Sequence, residues 1–208
     1  YGLCIVDPPY GIGYDTQAHK NSGTKYGSAA AAKSTYKSTS WDVTIPSHEY
    51  FSELRRVSTG QIIWGGNYFT EHLPPVASWA FWYKRTNGSF SDGELAWTSF
   101  GSPLKCFDYM WNGMLQGGPK EDRFHPTQKP VALYRWLLKN YAKPGQRILD
   151  THGGSMSIAI ACDIEGYDLT LCELDPDYFA AGKKRLEQHQ AQPRLFDAPA
   201  PQPIQLTL

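Results

Sequence analysis

The sequence has no apolar run near the roughly 18 residues that a membrane span needs, and no charged-then-apolar segment of the secretory type at its start. A membrane partner is therefore not expected, and a cytoplasmic location is. Cysteine is also scarce. Cys4, Cys106, Cys162 and Cys172 are the four present, with no C-x-x-C spacing. That favours buried free thiols in a reducing compartment over a zinc site or disulfide framework. Net charge is missing as well, because 20 Lys+Arg face 20 Asp+Glu. Taken as an average, zero argues against a strongly basic nucleic-acid binder. What remains is a chain of 208 residues with 41% hydrophobic content, enough for one large domain with an ordinary core. Aromatics reach 14%, with seven Trp and thirteen Tyr; most should be core, but such a supply also suits stacking on bases.

The chain enters a strand at once, Gly2 to Val6, and a segment preceding it is expected to be missing. Residues 16–41 are rich in Ser, Thr, Ala and Gly and carry Lys20, Lys25, Lys33 and Lys37 with no acid; they read as a long mobile basic loop. Pro46 to Val57 reads as a helix with Ser47 as a candidate cap. Gln61–Trp64 is a buried-type strand. Ala77–Tyr83, Leu95–Phe100 and Cys106–Trp111 are strand-like and aromatic, and 112–128 is a Gly/Pro-rich loop. Val131–Tyr141 is a helix between Pro130 and Pro144-Gly145. A strand follows at Arg147–Leu149, a helix at Ser155–Glu165, a strand at Leu169–Cys172 and a last helix from Asp175 to about Gln188. Strands alternating with helices predict an α/β fold with a largely parallel sheet. Residues 1–188 are expected to form one domain, and 189–208 a Pro/Gln-rich disordered or surface-draped tail.

Three constellations carry chemistry. Asp7-Pro8-Pro9-Tyr10 follows the first strand directly, and ligands of open α/β sheets sit beyond such strand ends. The prolines have no N–H, so the turn presents carbonyls and one carboxylate. An acceptor-only surface suits an exocyclic amine, and the Tyr10 ring could stack on a base. Asp150-Thr151-His152-Gly153-Gly154-Ser155 lies between a strand and a helix, where glycines let a ligand approach the backbone. Glu173 ends the next strand 23 residues later, a spacing like that of ribose-binding acids. No phosphate-binding lysine follows the glycines, so a nucleoside with an amino-acid tail fits better than a triphosphate. The third is His125-Pro126-Thr127-Gln128-Lys129-Pro130, leading into a helix.

Together these motifs resemble the S-adenosylmethionine-dependent DNA amino-methyltransferases in their permuted β-class order, and especially compact phage and prophage adenine-N6 methylases, some of which belong to restriction–modification systems. Residues 62–69 and Glu94–Trp97 are similar to their intervening segments, and the likeness spans roughly residues 1–187. It implies a Rossmann-like fold, circularly permuted, with a mostly parallel twisted sheet and helices on both faces. It implies methyl transfer to the N6 amine of a flipped-out adenine, with Asp7, Pro8, Pro9 and Tyr10 catalytic and Tyr10 stacking on the base. It implies S-adenosylmethionine on Asp150, His152, Gly153, Gly154, Ser155, Glu173 and Asp175, with His125, Thr127 and Lys129 closing the pocket near the cofactor's amino-acid end. DNA is the implied partner, with a homodimer as a second association to consider. Two departures stand out. Met156 replaces a glycine of the family's G-S-G turn, which should weaken the cofactor site. The family's Gly-Asp pair lies ahead of D-P-P-Y, before the first residue here; a natural protein that also lacked it would be expected to miss one strand and part of the pocket. The remaining alternatives are a cytosine-N4 methylase, an amide-nitrogen methylase acting on protein or RNA, and an inactive scaffold that only binds.

Residues 84–124 form a small candidate target-recognition region with Lys84, Arg85, Lys105, Lys120 and Arg123, which predicts a short or relaxed target sequence. The charge balance then resolves into two halves. Residues 1–149 hold 16 basic against 11 acidic side chains, and 150–208 hold 4 against 9. Zero is a cancellation between a basic catalytic half and an acidic cofactor half. DNA affinity should therefore fall steeply with salt, and replacing Lys20, Lys25, Lys33 and Lys37 by Gln should flatten that dependence more than any other set of four; a filter-binding salt titration checks this.

Overall fold

The structure is a computed structural model that describes residues 1–13, 41–86, 91–112, 115–192 and 204–207. Its strands are β1 (Leu3–Val6), β2 (Gly60–Trp64), β3 (Trp79–Tyr83), β4 (Gly93–Thr98), β5 (Lys105–Asp108), β6 (Trp111–Asn112), β7 (Leu115–Gln116), β8 (Ile148–Asp150), β9 (Leu169–Cys172) and β10 (Ile204–Thr207). Its helices are α1 (His48–Val57), α2 (Val131–Tyr141), α3 (Ser157–Glu165) and α4 (Pro176–Gln190), with a 3-10 turn at Gly66–Tyr68. Eight strands form one sheet in the order β10-β9-β8-β1-β2-β4-β3-β5, in which β4 alone runs against the others. The mostly parallel α/β sheet expected from the sequence is present.

Every residue of β1 and of β2 is buried, as a strand flanked by parallel neighbours and covered on both faces should be. Alternation splits them between two cores. Leu3, Ile5, Ile62 and Trp64 pack with Leu133, Leu137 and Leu138 of α2 and with Ile158 and Ala161 of α3. Cys4, Val6 and Ile63 pack with Phe51 and Leu54 of α1 and with Phe69. Helices thus cover both faces, and each fully buried Leu or Phe contributes about 1.5–3 kcal/mol.

Element boundaries differ from the expected ones where caps decide them. Ser47 is the N-cap of α1, but its side chain makes no capping bond; Glu49 in the first turn and Arg55 and Arg56 in the last instead match the helix dipole. The N–H of Val131 at the start of α2 is accepted by Glu121 Oε1 at 3.0 Å. Loop 112–128 contains the β6–β7 hairpin. Helix α3 begins at Ser157 because Ser155 and Met156 still belong to the turn. Cys4 and Cys162 are buried as expected, but Cys172 is half-buried and Cys106 exposed, on sheet-edge strand β5. The tail expectation needs correction too: Ile204–Thr207 pairs in parallel with β9, and Thr207 O accepts the Glu173 N–H at 2.9 Å. The edge beside β9 is therefore covered. The basic segment 16–41 falls, apart from Trp41, outside the described residues. Among the described residues no helix is long and apolar enough to cross a membrane.

Met156 has φ 56°, in the left-handed region where glycine is usual. Its side chain is fully buried and turned toward α4, where a Cβ on Gly182 would come within 2.6 Å of its Cγ. The methionine is thus held by packing at a conformation that costs roughly 1 kcal/mol. Met156→Ala keeps that strain and opens a cavity, whereas Met156→Gly opens the cavity and removes the strain. In urea unfolding the glycine variant should be about 1 kcal/mol more stable than the alanine variant, with both below the parent.

Candidate active site

The site lies where the central parallel strands end. Asp7 follows β1, Asp150 closes β8 and Glu173 follows β9. The glycine turn after β8 is fastened at each residue. Asp150 Oδ1 accepts the His152 N–H at 2.9 Å, and Gly153 N–H donates to Cys172 O at 2.8 Å. Glu173 accepts from Gly154 N at 2.6 Å and from Asp175 N at 2.8 Å. Gly153 is obligatory, since a Cβ there would sit 2.3 Å from Leu171 Cδ2. From α4, Arg185 donates to Ser155 O and to Ser157 Oγ, both at 2.8 Å, and pairs with Glu121 at 2.6 Å. Burial, then the negative charges of Asp7 and Glu173, push the Asp150 carboxyl up to about 8 against the pull of the His152 amide, so it carries a proton at pH 7. Burial pushes His152 down to about 4, and its Nδ1 lies 3.0 Å from Thr151 Oγ1, which is itself 2.7 Å from the Tyr50 hydroxyl.

The D-P-P-Y turn is pinned by a residue that the motifs did not suggest. The buried Asp42 accepts the Tyr10 N–H at 2.7 Å and the Gly11 N–H at 3.0 Å. Asp7 is then held from both sides, with Tyr10 Oη donating to Oδ1 at 2.6 Å and Lys129 Nζ to Oδ2 at 2.5 Å. Tyr10 stacks on Tyr68, centroids 5.0 Å apart, and covers Gly65, whose φ is 68° and which has no room for a Cβ under that ring. Burial and the Asp7 and Glu94 charges keep the Tyr10 phenol far above its usual range. Lys129 also lies 3.0 Å from Glu94 Oε2, and Lys84 pairs with the other Glu94 oxygen. A cavity of about 830 Å³ opens here, lined by Asp7, Pro8, Tyr10, Trp41, Glu94 and Lys129 among others.

The H-P-T-x-K-P segment joins the two motifs. His125 faces the glycine turn, with its Cε1 3.5 Å from a Cβ placed on Gly154, and packs on Tyr178 at 4.3 Å. Burial and the Lys129 charge push His125 down to about 4. Thr127 Oγ1 lies 3.2 Å from His125 Nδ1. Lys129 is placed on Asp7 and Glu94, where two carboxylates offset the desolvation of its buried ammonium. Asp175 is the N-cap of α4, accepting from Asp177 N at 2.8 Å and Tyr178 N at 3.2 Å. The DNA-contact expectations fare differently. Lys84 is taken by Glu94, Arg85 makes a two-pronged pair with Asp108 at 2.6 Å, and Lys105 donates to Asn140. Arg123 lines the cavity with its guanidinium 5.3 Å from the Trp111 ring centroid, and Lys120 is exposed. Lys20, Lys25, Lys33 and Lys37 lie outside the described residues.

A family model described as DNA methylase, covering N6 and N4 amino-methyltransferases, matches residues 77–184, just over half of the chain. The chain belongs to the N6/N4 DNA methylase family. Within it, the chain is 35% identical over 65 residues to YubD of Escherichia coli K12, named as a methylase, and 32% identical over 63 residues to the DNA adenine methyltransferase YhdJ of the same organism. These stretches span 29% and 21% of the two relatives and under a third of this chain. The crystal structure of the M1.HpyAVI–SAM complex has the same fold, with a TM-score of 0.52 at 18% identity, covering 89% of this chain and 88% of that one.

Three residues of this DNA methylase site were not foreseen. Asp42 and Arg185 leave no local signal, since one sits alone before a helix and the other on an ordinary charged helix face. Glu94 was noted in its segment but without a partner. Asp150 supports a signed prediction. Its raised carboxyl contributes stability that is fully present below pH 3.8 and lost as pH rises toward 8. Asp150→Asn keeps the acceptor for the His152 amide without that loss. The variant should therefore gain on the parent between pH 4 and pH 8, by about 1 kcal/mol or more at the upper end, in chemical unfolding measured across that range.

Proposed function

We propose that this chain transfers a methyl group from S-adenosylmethionine to the N6 amine of an adenine flipped out of DNA. The observation that carries the reading is the Asp7 carboxylate, held by Tyr10 and Lys129 in the lining of the cavity. The chemistry of the glycine turn suits the cofactor. Gly154 has φ 49°, and Glu173, a carboxylate, sits within hydrogen-bonding distance of the turn. Leu174 next to Glu173 is 92% exposed and offers apolar surface to a nucleoside base. Asp150, His152 and the Gly153–Ser155 backbone would hold the methionine end, with His125 and Thr127 closing over it. Glu173 would accept from the ribose hydroxyls through lone pairs its two amide bonds leave open. When bound, the cofactor supplies an electrophilic sulfonium methyl.

The protein's own task is then to present the amine. An adenine N6 lone pair is conjugated with the ring, so positioning dominates. Asp7 and the Pro8 carbonyl accept the two N6 hydrogens and favour a pyramidal nitrogen. The proton that the amine sheds passes to the Asp7 carboxylate, since Lys129 is kept fully protonated by Asp7 and Glu94 despite its burial. Tyr10, backed by Tyr68, offers the stacking surface for the extruded base. The likeness to a named adenine methyltransferase supports adenine over cytosine.

Incubation with labelled S-adenosylmethionine and unmethylated DNA, followed by nucleoside mass spectrometry, should give N6-methyladenine. Asp7→Ala should lower the rate about 10³-fold. N4-methylcytosine in the digest, or label found in protein or RNA instead of DNA, would sink the reading.

A further inference from the structure

Beyond Asp7 lies a row of charges of which the reaction as described uses only Lys129. Lys129 is 3% exposed, with the Trp64 and Tyr10 ring centroids 5.3 and 5.9 Å from its ammonium. Its charge is met at Asp7 Oδ2, 2.5 Å, and at Glu94 Oε2, 3.0 Å. Glu94 stands on β4 opposite Trp82 of β3, and Lys84, one residue past β3, reaches across to its second oxygen. Signs alternate along Asp7, Lys129, Glu94 and Lys84. An ammonium shared between two carboxylates is divided according to their relative pull, and Lys84 weakens the pull of one of them.

We propose that Glu94, with Lys84 behind it, is a positioning residue that sets how firmly Lys129 holds the Asp7 carboxylate, and so how good an acceptor Asp7 is for the substrate amine. The inference rests on the methyl-transfer reading above. Burial alone would raise the Glu94 carboxyl, but Lys129 and Lys84 outweigh it and bring it to about 2, so the acid is ionised throughout the working range. Other groups also bear on Asp7. Tyr10 donates to it, Asp150 at the end of β8, Tyr50 of α1 and Tyr134 of α2 lie within electrostatic reach, and neutral His125 flanks Lys129. None of these changes in the variants below.

Glu94→Gln frees Lys129 for Asp7 alone. Lys84→Met leaves Glu94 pulling harder on Lys129. In the full chain on DNA at one fixed pH, kcat should fall in E94Q and rise in K84M, each by about threefold. The cofactor KM should stay within about twofold of the parent, because the glycine turn is untouched. Lys84→Arg should return kcat to the parental value. A purely structural role predicts lost rate in both variants, and either that result or changes of the same sign would overturn the inference. If K84M does not fold, Lys84→Gln, which also removes the charge, decides: a raised kcat supports the proposal, and an unchanged or lowered one overturns it. A parent chain inactive on DNA would overturn the proposed reaction and this inference together, whereas an active parent with kcat unchanged in the variants would overturn the inference alone.

Discussion

A buried ammonium between two carboxylates is the constraint around which this molecule is organised. Lys129 and Asp7 are 122 residues apart in sequence, and the buried Lys129 ammonium needs its carboxylate partners to stay charged. Their pairing fixes the H-P-T-x-K-P segment against the D-P-P-Y turn. The same segment carries His125 to the glycine turn, so one short stretch aligns the part that handles the amine with the part read as the cofactor cradle. Glu121, just ahead of it, binds the start of α2 and Arg185 of α4. Disturbing Lys129 would therefore loosen more than one carboxylate.

The reversed strand β4 contributes to the same network. It sets Glu94 across from β3, where Lys84 and Lys129 can both reach it, at the edge of the cavity. Polar groups in such a network support one another when all are matched and become liabilities when one is missing. The burial of Lys129 thus stabilises the site only as part of a completed set.

Much of this was legible in the residues. The three motifs, their order, the parallel strands and helix Val131–Tyr141 follow from local patterns of proline, glycine and apolar spacing, and those patterns act over a few positions. What escaped depends on distance in space. Asp42 looks like any acid ahead of a helix, and Arg185 like any base on an exposed face. Lys84 and Arg85 read as free cations because a sequence displays charge but not the carboxylate that pairs with it. The tail read as disordered or surface-draped because Pro, Gln and Ala dominate it, and four residues near its end pair with the edge of β9. Edge pairing rewards backbone groups, and composition says little about those.

The Met156–Gly182 contact has a further meaning. A left-handed residue in a ligand-binding turn is normally supplied by glycine's freedom, but here it is held by a helix drawn close at a glycine 26 residues further on. The two positions are therefore epistatic. A bulkier residue at 182 is tolerable only once 156 has become small, and a small residue at 156 leaves a void unless 182 grows. In a lineage of such proteins, methionine at one position and glycine at the other should be gained and lost as a pair.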